Sequence, residues 1–134
     1  MTELDTAITT KFKATSGTPA VHNSLYTYVG GRMYNEGAEL GAVQPFVVFH
    51  ELSDVYDYTF TSDFENILIQ FNIYTDTLPE SNTAFGYLKD LFDNCDLTIS
   101  GYTHVYMRRE RSYRMKIDNY FNRIVEYRIL IEKN

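Results

Sequence analysis

Residues 65–75 alternate between apolar and polar side chains, and this alternation constrains the fold more than any other feature. The apolar positions are Ile67, Ile69, Phe71 and Ile73, and the largely polar positions between them are Asn66, Leu68, Gln70, Asn72 and Tyr74. Successive side chains of a β-strand point to opposite faces, so a period of two predicts a strand here. Because only one face is apolar, the segment favours an antiparallel sheet with one buried face.

Further strands are predicted on both sides of this segment. The apolar run 46–50 follows Pro45, and proline is acceptable as the first residue of a strand because it need not donate to the ladder. Two more strands are predicted at 102–115 and 122–132, joined by a turn at 118–119. The side chains expected on one face of the first are Val105, Met107, Tyr113 and Met115. Those expected on one face of the second are Val125, Tyr127, Ile129 and Ile131.

Apolar residues spaced three and four apart predict three helices. The first covers 3–13, with Thr2 as its N-cap and acidic residues near the positive end of its dipole. Its apolar positions are Leu4, Ala7, Ile8 and Phe12. A second, short helix is expected at 20–26 and a third at 81–94, where Cys95 is interpreted as a small core residue rather than a reactive thiol. The apolar stripe of the third consists of Ala84, Phe85, Leu88, Leu91, Phe92 and Cys95.

Two long connections interrupt these elements. Residues 30–45 contain four of the seven glycines and are predicted to be a loop with a short strand at 32–34. Residues 53–63 are polar and rich in tyrosine, which is typical of a hairpin tip or a mobile loop. Long loops in a compact domain are usually functional or disordered, so both connections are candidate contact surfaces.

Strands and helices are grouped in this chain rather than strictly alternating, which favours an α+β fold over a doubly wound α/β fold. We predict one domain over residues 1–134. Its sheet is expected to be mainly antiparallel with four to five strands, and two or three helices should pack on one face. A chain of 134 residues is long enough to bury a core without disulfides or metals.

Composition limits the partners and the compartment. The chain has one cysteine, a net charge of −6 and no apolar run approaching the roughly 18 residues needed to cross a bilayer. An acidic chain binds DNA phosphates poorly, although it can enclose DNA that slides past. The first residues lack the basic and apolar regions of a signal peptide. We therefore expect the chain to work in a cytoplasm, or in a particle built there, without a membrane partner.

The sequence contains no motif for catalysis, nucleotide binding or metal binding. The glycines at 30–31 are not followed by a Gly-Lys-Ser/Thr sequence, and there is neither a G-x-G-x-x-G nor a G-x-S-x-G motif. His22, His50 and His104 do not lie at metal-ligand spacing. The carboxylates between 54 and 65 lie in a predicted loop, where solvation is the ordinary explanation. We expect a protein that is not an enzyme and has no cofactor. The alternative is a small enzyme or ligand-binding module, which requires polar groups that converge in a pocket; the candidates are His50, Glu51 and His104.

Four arginines fall within seven positions near the end of the chain. On a regular strand, Arg108 and Arg114 share one face with Glu110. Arg109 and Arg111 then share the other face. The cluster would contact DNA phosphates or the acidic patch of a partner. Alternatively it is a solvated hairpin end that pairs across the strands with Glu126, Asp118 or Glu132. The acidity of the chain favours a protein contact or the solvated hairpin over DNA.

Aromatic residues are numerous, with 12 tyrosines and nine phenylalanines but no tryptophan. Tyrosine suits interfaces because it offers a large contact area with a polar tip, but it is also a good strand former. Both interpretations stay open. Tyr28, Tyr34, Tyr56 and Tyr58 lie in or near the two long connections, where a contact role is expected.

Taken together, these segments resemble the phage tail-completion family, also called tail terminators or head–tail joining proteins. After an N-terminal helix, the matching segments are Gly31-Arg32-Met33-Tyr34, Gln44-Pro45-Phe46-Val47-Val48-Phe49, Ile67-Leu68-Ile69-Gln70-Phe71-Asn72-Ile73-Tyr74, Leu88-Lys89-Asp90-Leu91-Phe92, a basic strand and Arg123-Ile124-Val125-Glu126-Tyr127-Arg128-Ile129. The resemblance covers almost the whole chain. Its most specific parts are the Arg-x-Tyr…Pro-Phe-Val-Val pair and the closing strand.

The resemblance implies a structural virion subunit, assembled in the host cytoplasm, that forms a hexameric ring at the head–tail interface. The implied partners are other copies of the chain, the tail tube protein and a head-completion or neck protein, while DNA passes through without specific binding. In this family the interfaces are formed by loops and sheet edges, here 30–45, 53–63 and 108–118. A different neck subunit is the alternative within the same class. The candidate interface residues are Arg32, Tyr34, Tyr56, Tyr58, Arg108, Arg109, Arg111 and Arg114.

Overall fold

The α+β class predicted from the sequence is confirmed by a computed structural model that describes residues 1–38, 41–59 and 61–134. The helices are α1 (Thr2–Lys13), α2 (Ser24–Tyr28) and α3 (Leu78–Phe92). The strands are β1 (Thr15–Ser16), β2 (Val21–His22), β3 (Met33–Asn35), β4 (Phe46–Tyr58), β5 (Asp63–Thr75), β6 (Tyr102–Ile117) and β7 (Tyr120–Lys133). None of the helices in the described ranges has the length and apolar character needed to cross a lipid bilayer.

Five strands form the main sheet, in the order β3-β4-β5-β7-β6, while β1 and β2 form a small separate pair. Strand β3 runs parallel to β4, and every other neighbouring pair is antiparallel, which confirms the predicted mainly antiparallel sheet. The outer strands are β3, with three residues, and β6, with 16 residues. Within the described residues, β6 and the half of β4 that extends past β3 each have one edge without a strand partner.

The alternating segment that constrains the fold is β5, in the middle of the sheet. Its four predicted apolar side chains are completely buried. All three helices cover this face, and their apolar side chains join those of the strands in one hydrophobic core. Full burial of one aliphatic side chain contributes about 1.5–3 kcal/mol, so this face holds the helices on one side of the sheet. We call it the helix face and the opposite side the open face.

Local hydrogen bonds set the helix boundaries. Met1, not Thr2, is the N-cap of α1 and makes no side-chain cap; its terminal amine donates to Glu51 at 3.1 Å. Helix α3 begins at Leu78, three residues before its predicted start, because the Thr77 hydroxyl accepts a hydrogen bond from a backbone N–H of the first turn.

The second helix lies further along the chain than the predicted range 20–26. Val21–His22 form β2, and the side chain of Asn23 then caps α2 by accepting a hydrogen bond from the N–H of Tyr26 at 2.9 Å. Asn23 also donates to the carbonyl of Phe12 at 2.8 Å, which ties the start of α2 to the end of α1. The helix therefore occupies Ser24–Tyr28.

The tyrosine-rich connection 53–63 is mostly strand. Strand β4 continues to Tyr58, which pairs with Asp63 of β5, so the hairpin alternative is correct. Phe60 lies outside the described residues. In the glycine-rich connection the short strand is β3, one residue later than predicted, and residues 39 and 40 of that connection also lie outside the described residues.

Strand β6 does not alternate regularly, and this corrects one predicted face. Its register with β7 shifts at Val105 and again at Glu110, where an extra residue forms a bulge. Each bulge inverts the expected alternation for the residues after it. Met107 is therefore buried on the helix face, whereas Tyr113 and Met115 lie on the open face and are 39% and 44% exposed. On β7 the predicted common face is confirmed, since all four of its side chains are buried.

Candidate interaction surfaces

The four arginines of β6 are divided between the two faces of the sheet by the bulge at Glu110. Arg108 and Arg111 lie on the open face, and Arg109 and Arg114 lie on the helix face. The predicted grouping, with Arg109 beside Arg111 and Arg108 beside Arg114, is therefore wrong. A strict period of two cannot anticipate the extra residue in the strand.

On the open face, ion pairs join β6 to β7. The Nε of Arg111 donates to Glu126, whose carboxylate is almost completely buried, and the Nε of Arg128 donates to Glu110. The predicted cross-strand pairing with Glu126 is confirmed. A buried carboxylate is costly without a partner, so Arg111 has a structural role in the subunit.

On the helix face, the arginines belong to a cluster of cations around the ring of Phe85. The ring centroid lies 4.5 Å from the Nζ of Lys89, 5.7 Å from the guanidinium carbon of Arg109 and 4.3 Å from that of Arg123. Arg114 is the direct cross-strand neighbour of Arg123. Contacts with the ring attract each cation but leave its charge in place. We call Lys89, Arg109, Arg114 and Arg123 the basic patch.

The basic patch has little counter-charge. Asp93 lies 3.4 Å from Arg109 and is the only carboxylate within 4 Å of the patch in the described part of the chain. Arg114 and Arg123 are like charges directly opposite each other, which destabilises a sheet. Burial and the charge of Arg114 lower the pKa of Arg123. Its Nε is also buried with no hydrogen-bond partner among the described residues.

Carboxylates gather on the same face at the opposite corner of the sheet. We call Glu51 and Asp54 of β4, together with Asp63 and Glu65 of β5, the acidic patch. Strand pairing places all four on the helix face; Glu51 and Asp54, for example, pair with fully buried core residues of β5. Among the described residues, the one cation paired with them is the amine of Met1, 3.1 Å from Glu51.

The carboxylates of the acidic patch repel one another. Burial, a hydrogen bond with Asp54 and the negative charges of Asp54 and Glu51 raise the pKa of Glu65 to about 7. The Oε1 of Glu51 is buried with no partner in the part of the chain that the structure describes. From the sequence alone, Asp54, Asp63 and Glu65 are expected to be ordinary solvated carboxylates. The signal missed there is the spacing of the four residues on an extended hairpin, which brings them onto one face.

Tyr56 and Tyr58, two of the predicted interface residues, flank the acidic patch. They are 55% and 69% exposed, and their ring centroids lie 5.4 Å apart. Exposed aromatic side chains beside charges are typical of protein interfaces. This part of the hairpin therefore remains a candidate contact surface.

The predicted interface residues Arg32 and Tyr34 lie elsewhere. The Nε of Arg32 donates to the carbonyl of Pro45 at 3.1 Å, so this side chain ties the glycine-rich connection to the start of β4. Tyr34 packs against Phe46 with ring centroids 6.0 Å apart, on the open face. The eight candidate residues thus fall on separate surfaces rather than at one site.

The residues that an enzyme or ligand-binding module would use do not converge. His50 lies on the open face and Glu51 on the helix face of the same strand, while His104 lies three strands away and contacts the carbonyl of Cys95 at 3.0 Å. No group of three or more metal-ligating side chains suited to an ion occurs among the described residues. The sulfur of Cys95 lies 3.5 Å from that of Met107, and burial raises the pKa of this thiol to about 11.

Comparison with known proteins gives a likeness in fold. A scan of protein-family models finds no match to this chain, and a search of curated protein sequences finds none either. The chain is similar to one in the solved structure described as the virion of a native gene transfer agent particle. The two chains share 16% identity with a TM-score of 0.80, over 96% of this chain and 94% of that one. At this identity the likeness establishes a shared fold over nearly the full length of both.

Proposed function

We propose that this chain is a structural virion subunit that forms a ring at the end of a phage tail tube and joins the tube to the head or neck. The observation that carries the proposal is the likeness, with a TM-score of 0.80, to a chain of a gene transfer agent virion. The resemblance of the sequence segments to tail-completion proteins supports the same class. The proposal assigns the chain no catalytic role and no cofactor.

The surfaces of the subunit support self-assembly. Two patches of opposite charge lie at different corners of one sheet face, and a pair of exposed tyrosines flanks the acidic one. An interface between two different patches is heterologous, and such interfaces close into rings when the rotation between copies allows it. The net charge of −6 suits a channel wall past which DNA slides without binding.

A second candidate is a different subunit of the neck that joins head and tail. The solved neighbour is described only as part of a virion, so the likeness supports this position in the particle equally. Purified tail tubes and purified heads distinguish the two candidates in a pull-down. A tail terminator binds the tube end directly, whereas another neck protein requires the head or a further connector.

Assembly of the purified full-length chain tests the proposal. Light scattering and negative-stain microscopy should show rings with six-fold symmetry, and labelled protein should attach to one end of isolated tail tubes. Tails taken from complete particles, whose ends are already occupied, are the control and should not bind it. A chain that stays monomeric at every concentration and does not attach to tube ends contradicts the proposal.

A further inference from the structure

We propose that the basic patch of one copy binds the acidic patch of the next copy, so that the two patches are the halves of one head-to-tail interface. This inference rests on the proposed function in assuming self-assembly. It goes further by naming the surfaces that meet and the groups that recognise each other.

No ion pair joins the two patches within the described part of one subunit. Glu65 lies in the acidic patch near the start of β5, and Ile73 near its end is the register partner of Arg123 in the basic patch. The eight steps between Glu65 and Ile73 (73 − 65) extend about 27 Å along a strand. The nearest members, Glu51 and Arg109, lie in one row of the sheet about 14 Å apart, with the buried Ile69 and Tyr127 between them. Glu51 is paired with the amine of Met1 and Arg109 with Asp93, so each patch is free to meet its complement on another copy.

The charges of the patches oppose in sign, and their formal values match when Glu65 is ionised. The four cations of the basic patch with Asp93 carry a formal charge of +3 (4 − 1). The four carboxylates of the acidic patch with the amine of Met1 carry −3 (4 − 1). Complementary charges steer encounter, suppress wrong orientations and fix register at protein interfaces.

Each patch also contains a polar atom that the described part of an isolated subunit leaves unsatisfied. These atoms are the Nε of Arg123 and the Oε1 of Glu51, both buried without a hydrogen-bond partner among the described residues. In the isolated subunit, Arg123 faces the like charge of Arg114 across the strands, and Glu65 lies beside two other carboxylates. Bringing the two patches together replaces repulsion within each patch by attraction between them.

A second copy fits these observations better than DNA does. The chain carries −6 overall, which opposes the approach of a polyanion to its basic patch. DNA phosphates also leave the acidic patch without a partner. Because the patches lie at different corners of one face, their contact is heterologous, the kind that generates rings.

Charge reversal with matched controls tests the inference. Asp54→Lys reverses an exposed member of the acidic patch, and Arg114→Glu reverses an exposed member of the basic patch. The controls are Asp57→Lys, on the open face of β4, and Lys13→Glu, at the end of α1; both reverse an exposed charge outside the two patches. Circular dichroism checks that each variant folds, and sedimentation velocity over a concentration series gives the association constants.

Each patch variant should weaken association by about tenfold or more, while each control stays within about threefold of the wild type. The chain that carries both Asp54→Lys and Arg114→Glu should associate most weakly, because both halves of every interface then carry less charge than in the wild type. An equimolar mixture of the two single variants should form pairs of unlike chains, because the unchanged basic patch of the Asp54→Lys chain meets the unchanged acidic patch of the Arg114→Glu chain. High salt should weaken all of these associations.

The outcomes separate this inference from the proposed function. If rings form regardless of the patch reversals, if the controls weaken association equally, or if the mixed single variants form no pairs, the patches do not meet and this inference alone fails. If Arg114→Glu abolishes binding of a DNA duplex but leaves association unchanged, the basic patch serves nucleic acid instead. If the wild type is monomeric throughout and does not attach to tail tubes, both proposals fail.

Discussion

Replacing Glu65 with glutamine should stabilise the isolated subunit at neutral and higher pH. Glutamine keeps the shape of the protonated side chain and can still hydrogen-bond with Asp54, but it carries no charge that the neighbouring carboxylates repel. In the wild type, burial and those neighbours raise the pKa of Glu65 from 4.5 to about 7. The folded state therefore holds this proton more tightly than the unfolded state, and stability falls as the pH rises from about 4.5 to about 7.

The size of the effect follows from the difference between the two pKa values. The full difference for Glu65 corresponds to about 3 kcal/mol. The side chain is partly exposed, so solvent screening reduces the expected gain to about 1 kcal/mol. The gain should reach its full value above pH 7 and disappear below about pH 4.5, where the wild-type side chain is protonated in both states.

Urea unfolding over a pH series measures this gain, at protein concentrations low enough to keep the subunit monomeric. Glu132→Gln, which removes a carboxylate from the open face of the same sheet, is the control and should have no comparable effect. A gain that is constant across the pH range refutes the reasoning, because it would not come from titration of this group. A loss of stability from Glu65→Gln above pH 7 refutes it more directly.

Three further substitutions test the contacts that position the surfaces. Tyr127→Phe removes the hydroxyl that donates to Asp93 and should cost about 1–2 kcal/mol in urea unfolding; no change would mean that this buried hydrogen bond adds nothing. Asn23→Ala removes the cap of α2 and should cost about 1 kcal/mol in the free energy of unfolding. Amide exchange should accelerate in α2 more than in α3, and an equal acceleration in both helices would contradict a local role. Arg111→Met leaves the buried Glu126 carboxylate without its partner and should cost about 2–3 kcal/mol, part of which a second change, Glu126→Gln, should restore; an additive loss would argue against the pair.

Periodicity predicted the elements whose position is fixed by burial on one side. The alternation in β5, the common face of β7 and the apolar stripes of α1 and α3 all reappear in the core. In each of them a shift by one residue would expose an apolar face, so the sequence must keep the period. The α+β class and the antiparallel sheet followed from the same pattern.

Elements outside the core were harder to predict because their structure depends on distant partners. The outer half of β4 is polar and exposes Tyr56 and Tyr58, so nothing in its composition distinguishes it from a loop. It is a strand because its backbone continues the ladder with β5. The bulges of β6 likewise depend on its register with β7, which local sequence does not encode.

The candidate site was predicted in part. The arginine run identified Arg109 and Arg114, but Lys89 comes from α3 and Arg123 from β7. Only the fold brings Lys89, Arg109 and Arg123 around Phe85 and places Arg114 opposite Arg123. The acidic patch was missed because its members looked like separate loop residues. Sequence shows which charges a chain has, whereas strand register decides which of them share a face.

The bulge at Glu110 has a consequence for how β6 can change in length. Arg109 and Arg111 pair with consecutive residues of β7, so the residue between them is surplus to the ladder. Loss of one amino acid nearby can therefore be absorbed by closing the bulge, without moving Arg114 from its place opposite Arg123. In a regular strand a one-residue deletion would turn every later side chain to the other face. Here, closing the bulge compensates for it. The strand that presents the basic patch can accordingly tolerate length variation in its middle while its end stays in register.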